Sequence, residues 1–185
     1  MSFIAVIDKV IQKFLAIYRK ELFRAKTNCG HRQFKILGPV YVLNPNLTIG
    51  RNVIIFPGVM FFGKGPIVIG DNTKIGNNTV IYSSPMGGVF IGSHVAIAAD
   101  CYIIDADHGT KRGQLIEEQN MVVKKVVIGD NVWLGTHVVV VKGSVVNDGA
   151  VVGAMSLVNS EIKKESINVG IPAIYKKDKE VALCR

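Results

Sequence analysis

The stretch Ile128-Gly-Asp-Asn-Val-Trp-Leu-Gly-Thr-His-Val-Val-Val decides the fold of this 185-residue chain. Large apolar residues stand six positions apart in it, at Ile128, Leu134 and Val140. The same step recurs through most of the chain at fifteen apolar positions, which we call the anchors. The anchors are Ile49, Ile55, Phe61, Ile69, Ile75, Ile81, Ile91, Ile97, Ile103, Ile128, Leu134, Val140, Val146, Val152 and Val158. A fixed period of this kind predicts a repeat architecture, in which each repeat packs on its neighbours.

The residues between the anchors indicate short strands separated by corners. Small or β-branched residues, such as Val132 and Val138, stand four positions after the anchors, and Gly directly follows an anchor at seven places. We expect the anchor and the small residue to point inward from a strand. Gly, together with the Asn and Asp that follow it, would supply backbone angles that other residues resist. A six-residue step would scatter the anchors around an α-helix, which excludes a helical repeat.

Interruptions of the six-residue step indicate how the repeats are grouped. Two extra residues follow Phe61, four follow Ile81 and nineteen follow Ile103. Three hexads therefore make one coil of eighteen residues with a triangular cross-section, and each interruption loops out at a corner. The longest interruption predicts an inserted loop over residues 104–127.

This repeat resembles that of the hexapeptide-repeat acyltransferases, in which Ile, Leu or Val is followed by Gly, two polar residues and a small residue. The resemblance covers roughly residues 34–177 and implies a left-handed parallel β-helix that assembles as a homotrimer. The expected fold class is an all-β solenoid with an N-terminal amphipathic helix and a long inserted loop. The expected division is a helix at 1–28, the β-helix at 34–168 and a basic C-terminal tail at 169–185.

Residues 1–26 have the pattern of a basic amphipathic helix. Lys and Arg are interspersed there with apolar residues, and the formal charge of the whole chain is +8. One interpretation is a cap that covers the first coil or a neighbouring subunit, because solenoids need covered ends. The other is peripheral contact with an anionic membrane, near a lipid-linked substrate. Nucleic acid is not an expected partner, since no recognised binding motif accompanies the charge.

Cysteine usage predicts a cytoplasmic protein, with the inner face of the membrane as a further location if the helix binds lipid. Cys29, Cys101 and Cys184 have no metal-binding spacing and are odd in number, which favours a reduced compartment. No apolar run in the sequence is long enough to cross a membrane.

His108 is the expected catalytic base, since it lies in the 104–127 interruption and matches the loop histidine of the family. An imidazole can take the proton of a hydroxyl as that hydroxyl attacks a thioester. Asp105 or Asp107 would orient the ring, and the sequence does not separate the two. No metal is expected. A zinc site of the carbonic-anhydrase type is disfavoured, because the closest histidines, His94 and His108, are fourteen residues apart.

The resemblance also implies where acetyl-CoA, the expected co-substrate, would bind. Three stretches match those around the acyl-CoA groove of the family, at 126–137, 153–158 and 170–177. The residues implied are Trp133 beside the thioester, Gly135, Thr136, Ala154 and Asn159 along the pantetheine, and Lys176 or Lys177 at the nucleotide phosphates. Met155 departs from the pattern, because members of the family commonly have Gly there.

The function implied is transfer of an acetyl group to a hydroxyl of a sugar or a lipid-linked sugar, in surface polysaccharide biosynthesis. Two enzyme alternatives are N-acetylation of an amino sugar and acetylation of another small acceptor, such as serine or an antibiotic. A structural β-helix that polymerises through its ends is the non-enzymatic alternative. The helix, the charged C-terminal residues and the His108 loop argue against it.

Overall fold

The computed structural model describes residues 3–180 as one α-helix, α1 (Phe3–Ala25), followed by 22 short strands. The strands are β1 (Phe34–Ile36), β2 (Tyr41–Val42), β3 (Leu47–Ile49), β4 (Val53–Ile55), β5 (Met60–Gly63), β6 (Ile67–Ile69), β7 (Lys74–Ile75), β8 (Val80–Ser83), β9 (Val89–Ile91), β10 (Ala96–Ile97), β11 (Tyr102–Ile104), β12 (Ala106–Asp107), β13 (Val122–Val123), β14 (Val126–Ile128), β15 (Trp133–Leu134), β16 (Val139–Val140), β17 (Val145–Val146), β18 (Val151–Val152), β19 (Leu157–Val158), β20 (Glu161–Ile162), β21 (Ser166–Val169) and β22 (Ile174–Asp178). A 3-10 helix spans Ile116–Glu118.

Strands of successive coils pair in parallel and form three sheets around one core. Sheet A has the order β1-β4-β7-β10-β15-β18-β21-β22, sheet B has β2-β5-β8-β11-β16-β19, and sheet C has β3-β6-β9-β14-β17-β20. Six full coils follow one another, and β21 begins a seventh. The predicted parallel β-solenoid is confirmed; its left hand is what the family resemblance implies.

The anchors form the core, as the six-residue step predicts. All fifteen are buried, with at most 3% of any anchor exposed. The eleven small residues four positions after the anchors are buried as well; Thr73, Thr79, Ser144 and Ser156 are among them. Thr73 satisfies its hydroxyl by donating to the carbonyl oxygen of Gly92 at 2.8 Å, so a polar side chain is tolerated inside the coil. Each buried anchor contributes about 1.5–3 kcal/mol.

The glycines at the corners do not serve the purpose expected of them, which was to supply unusual backbone angles. A positive φ occurs three positions after the anchor, and the residues there include Asn72 (φ 60°), His94 (59°) and Met155 (61°). The glycines that directly follow the anchors are needed for space instead. A Cβ added to Gly76 would lie 2.5 Å from the carbonyl carbon of Ala98 in the next coil. Coils stacked at strand spacing leave no room for a side chain at that place.

The end of α1 is fastened to the first coil through Phe23. This ring is buried and packs on Phe34 and Phe61 at centroid distances of 5.3 and 6.4 Å. Lys20 lies over the ring of Phe34, with Nζ 5.2 Å from its centroid. The last turn of α1 therefore covers the open end of the solenoid, as the cap interpretation requires. Within residues 3–180, no helix is long and apolar enough to cross a membrane.

At the far end of the solenoid, β22 pairs antiparallel with β21 and is the last strand of sheet A. Part of the segment predicted as a basic tail is thus an edge strand of sheet A. The remainder of that segment, residues 181–185 with Cys184, lies outside the described residues. Cys29 and Cys101 are buried and unpaired thiols.

Candidate active site

The insertion leaves the solenoid at the corner between sheets B and C. Residues 105–125 separate β11 from β14, so the predicted range of 104–127 narrows by a residue or two at each end. The base of the insertion is an antiparallel hairpin in which Ala106 pairs with Val123 and Asp107 with Val122. This hairpin carries the loop outward while β11 and β14 keep their places in the stack.

Asp105 attaches the base of the insertion to the coil below it. Its side chain is completely buried. One carboxylate oxygen accepts hydrogen bonds from the hydroxyl of Ser83 at 2.9 Å and from the backbone N–H of Gly88 at 2.7 Å, and the other accepts from the N–H of Ser84 at 2.8 Å. A buried carboxylate with three donors is satisfied where it stands. The contacts of Asp105 therefore support a structural task for it.

Asp107 lies two residues further out and faces a cation. Its carboxylate accepts a short hydrogen bond from the ammonium group of Lys142, which follows the next strand of sheet B. Tyr102 is close by on the outer face of the same sheet. Burial raises the pKa of the Tyr102 hydroxyl, and the neighbouring Tyr82 and Asp107 act in the same direction.

His108 follows the hairpin strand β12 and is exposed. It lines an open depression of about 420 Å³ together with Leu115, Ile116 and Glu117. Among the hydrogen bonds of residues 3–180, none joins His108 to Asp105 or Asp107. Orientation of the ring by an aspartate therefore stays a prediction. No three His, Cys, Asp or Glu side chains in this part of the chain gather as metal ligands.

Three of the predicted cofactor residues, Gly135, Thr136 and Ala154, lie at the corner between sheets A and B. Ala99, Thr136 and Ala154 occupy the same place in three successive coils, two residues after their anchors. A Cβ added to Gly135 would lie 2.6 Å from the backbone nitrogen of Ala154, so these two coils are in close contact. The hydroxyl of Thr136 donates to the carbonyl oxygen of Ala99 at 2.9 Å. The corner is a strip of small side chains that leaves space for an extended ligand.

Cys101 stabilises this corner from the inside. Its thiol donates to the carbonyl oxygen of Gly135 at 3.2 Å, and burial raises its pKa to about 11. A thiol with such a pKa is inert at neutral pH. Cys101 is therefore a packing residue beside the strip of small side chains.

Trp133 and Lys177 lie in one column on the outer face of sheet A. Strand pairing places Trp133 beside Val151, Val151 beside Ile167, and Ile167 beside Lys177. The column spans three strand spacings, roughly 14 Å at about 4.8 Å each. The indole of Trp133 is 55% exposed. The two ends predicted for acetyl-CoA, thioester and nucleotide, therefore lie along one face.

The remaining predicted residues fall elsewhere. Asn159 follows β19 at the corner between sheets B and C, at the same edge of sheet B as the insertion. Lys176 is exposed in β22, and Lys177 donates to Glu180 at 3.3 Å. His108 and the strip around Thr136 are thus separated by the width of sheet B. One chain alone does not bring all the predicted site residues together.

Lys142 is the residue at this site that the sequence analysis missed. It stands two residues after the anchor Val140, at the corner where the insertion leaves the coil below. Grouping the hexads by three is enough to place Lys142 beside the insertion. Which side chain of the insertion it would meet depends on the hairpin, which has no six-residue signal.

Comparison with known proteins identifies the family. No family model matches the chain. The chain is 32% identical over 146 residues to a protein of Escherichia coli (strain K12) provisionally named lipopolysaccharide biosynthesis O-acetyl transferase WbbJ. The match covers 73% of this chain and 74% of WbbJ. This chain belongs to the hexapeptide-repeat acyltransferases.

Two further similarities are one to a curated relative and one to a solved structure. Galactoside O-acetyltransferase of Escherichia coli (strain K12) is 32% identical over 125 residues, which cover 68% of this acyltransferase and 60% of that relative. Among solved structures, the N-acyltransferase AntD from Bacillus cereus, in complex with dTDP and 3-hydroxybutyryl-CoA, has a TM-score of 0.74. The identity is 23%, and the similarity covers 86% of this chain and 87% of AntD. At that identity the similarity to AntD supports the fold.

Proposed function

We propose that this acyltransferase moves an acetyl group from acetyl-CoA to a hydroxyl of a sugar during the biosynthesis of a surface polysaccharide. The observation that carries the proposal is the extent of the match to WbbJ, whose provisional name states lipopolysaccharide O-acetyl transfer. The similarity to galactoside O-acetyltransferase adds a second relative whose name specifies a sugar acceptor. The acceptor is a sugar, either free or linked to lipid.

The corner between sheets A and B and the outer face of sheet A together offer a path for acetyl-CoA. The strip of small side chains at Thr136 and Ala154 leaves room for the pantetheine arm, because larger residues would block it. The column from Trp133 to Lys177 places the backbone positions of an aromatic and a cationic residue roughly 14 Å apart. AntD, of the same fold, was solved with an acyl-CoA. A thioester beside Trp133 and phosphates near Lys176 and Lys177 fit this arrangement.

The chemistry proposed is direct transfer with His108 as general base. A ring nitrogen of His108 takes the proton of the acceptor hydroxyl, and the hydroxyl oxygen forms a bond to the thioester carbonyl carbon. A backbone N–H at a corner of the coil stabilises the oxyanion. The carbon–sulfur bond then breaks, and the leaving thiolate of CoA receives the proton from His108. Asp105 is buried among three donors, so we assign the orientation of His108 to Asp107, whose carboxylate is partly exposed and also pairs with Lys142.

A homotrimer would complete this site. His108 and the small-residue strip lie at opposite edges of sheet B, so the base of one subunit needs the groove of another. The outward residues in the described strands of sheet B form an uncharged surface suited to burial: Tyr41, Met60, Phe62, Val80, Tyr82, Tyr102, Ile104, Val139 and Leu157. A contact between two different surface patches closes into a ring when its rotation fits, and three copies are the smallest ring beyond a pair.

The assembly is tested with a variant of the apolar sheet. Light scattering should give three times the chain mass of 20.1 kDa for the unchanged protein. Tyr102→Asp should yield a smaller species with little transfer activity, since it places a charge on the proposed interface. Val68→Asp is the matched control, because Val68 lies on the outer face of sheet C. A fully active monomer would exclude the shared site.

The transfer reaction is tested by following free thiol release from acetyl-CoA while sugar acceptors are screened. Release that depends on a sugar hydroxyl supports O-acetyl transfer. A second candidate function is acyl transfer to an amino sugar, because a relative from Escherichia coli named dTDP-4-amino-4,6-dideoxy-D-glucose acyltransferase is 28% identical over 152 residues. An acceptor pair that differs only in carrying an amine or a hydroxyl at one carbon separates the two reactions. No thiol release with either class would contradict both.

A further inference from the structure

The net positive charge of the chain is confined to its N-terminal end. Residues 1–70 contain ten cationic residues (Lys and Arg) and two acidic residues (Asp and Glu). Residues 71–185 contain twelve cationic and twelve acidic residues. The whole formal charge of +8 therefore belongs to the helix and the first two coils. The rest of the solenoid is balanced. An end with this charge attracts an anionic surface and repels a second copy of itself.

The same end exposes the apolar face of α1. Phe23 is the residue that docks on the first coil, and at 100° per residue Phe14 and Ile7 lie on the opposite side of the helix. The apolar side chains exposed on α1 are Ile4, Val6, Ile7, Val10, Ile11, Phe14, Ile17, Tyr18 and Leu22. Phe14 is 70% exposed and Ile4 76%. A helix that served only as a cap would bury this face.

Cations surround the attachment of the helix. Two adjoining shallow grooves lie where α1 meets the first coil, and their walls include Lys13, Lys20, Arg32 and Lys35. A third recess between the helix and the first coil is lined mostly by apolar residues, together with the cations Arg19 and Lys26. Phosphate groups brought to this end would meet several cations, while the apolar face of α1 would enter a less polar layer.

From this geometry we infer that the N-terminal end of the chain is a docking surface for an anionic lipid bilayer. The apolar face of α1 lies at the boundary of headgroups and acyl chains, and the cations along the helix contact the headgroups. Phe23 makes the attachment rigid, so the solenoid stands on the membrane at a set angle. This inference goes beyond the proposed acyl transfer and does not depend on it.

The docking has one consequence that rests on the proposed function. Strand β11, which leads into the insertion with His108, is the fourth strand of sheet B from the docked end. Three strand spacings, roughly 14 Å, therefore separate it from the first coil. A sugar carried on a lipid headgroup would be held close to the membrane at about that level.

Vesicle co-sedimentation of the full chain tests the docking. Vesicles of phosphatidylcholine with phosphatidylglycerol are compared with phosphatidylcholine alone, at low and high salt. We expect binding to the anionic vesicles only, weakened by salt. Lys13→Glu should weaken it by at least about fivefold, the value of one cation near the surface. Phe14→Asp should weaken it by about tenfold or more, since it removes apolar area and adds an anion.

Matched variants keep the result specific to α1. Met86→Asp changes an exposed apolar residue outside the helix, and Arg112→Glu changes an exposed cation of the insertion. Both should bind vesicles as the unchanged chain does. Phe14 is exposed, so its variant should melt at the same temperature. Absence of binding to anionic vesicles, or equal binding by Phe14→Asp, would overturn the inference. Self-association that Phe14→Asp abolishes, without vesicle binding, would assign the face to a second copy instead.

Discussion

Sheet B ends in two corners that differ sharply in what they tolerate. The corner toward sheet A has four residues in each coil, for example 135–138 and 153–156. The corner toward sheet C ranges from residues 159–160 to the insertion at 105–125. At the first corner the backbone of each coil stacks on the neighbouring coils through hydrogen bonds, whereas at the second a loop only has to return to the next strand. Loop closure becomes costlier only slowly with length, so this corner can grow without loss of the stack.

The difference separates the residues that stabilise the coil from the residues proposed to transfer the proton. The regular corner contains residues with a positive φ, glycines that have no space for a Cβ, and the buried thiol of Cys101. The irregular corner carries His108, Asp107 and the cation that faces it. Changes at the regular corner should therefore alter the free energy of unfolding, and changes in the insertion should alter turnover. The following predictions sharpen or break that division.

The largest effect is expected for His108→Ala. Removal of the proposed base should lower acetyl transfer by roughly 10²–10⁴, the usual contribution of a positioned general base. The melting temperature should stay the same, because His108 is exposed and lies in the insertion, outside the six-residue register. His137→Ala is the control on the regular corner. A silent His108→Ala beside an inactive His137→Ala would reverse the assignment of chemistry to the insertion.

Leu134→Ala should have the largest effect on stability. Leu134 is an anchor with 0% of its surface exposed, between β10 and β18. Truncation of a fully buried leucine costs about 2–5 kcal/mol, because a cavity remains in a stack that cannot collapse. Urea unfolding measures the loss. Leu115→Ala is the control, since Leu115 is exposed in the insertion. A loss below about 1 kcal/mol for Leu134→Ala would argue against a shared core.

Asp105→Ala tests the point at which the two kinds of corner meet. It leaves three buried donors without their acceptor, so we expect a loss of about 2–4 kcal/mol, detected by unfolding and by faster hydrogen exchange in 105–125. Asp107→Ala breaks an ion pair that is partly exposed and should cost at most about 1 kcal/mol. Equal losses for the two variants would contradict the structural task given to Asp105.

The smallest effect is a gain in stability from Met155→Gly. Met155 has a φ of 61° and an exposed side chain, so glycine relieves backbone strain and removes few contacts. We expect the unfolding free energy to rise by up to about 1 kcal/mol in urea. Met86→Gly serves as the control, because Met86 is exposed and lacks a positive φ. A loss of stability at Met155 would mean that the side chain contributes more than the strain costs.

The sequence by itself determined the coil. Fifteen anchors at a six-residue step, with small residues at a fixed offset, leave one way to bury both sets, so the three sheets and the place of the insertion follow from the pattern. The unusual backbone angles of the corners were assigned to the wrong position, namely to the glycines directly after the anchors. Glycine permits both unusual angles and close approach, and only the stacked coils show that Gly76 and Gly135 serve close approach.

Only the tertiary structure decided what lies outside the period. The three hydrogen bonds that Asp105 accepts depend on the turn at 84–88 in the coil below. The ion pair between Asp107 and Lys142 depends on the coil above. Among the apolar side chains of α1 from Ile4 onward, Phe23 alone is buried, and this contact decides the direction in which the helix faces. The packing of a repeat can be predicted from the spacing of its residues, because every coil contacts neighbours of the same kind. An insertion and a terminal helix each occur once, so their contacts are set by surfaces that no spacing in the sequence records.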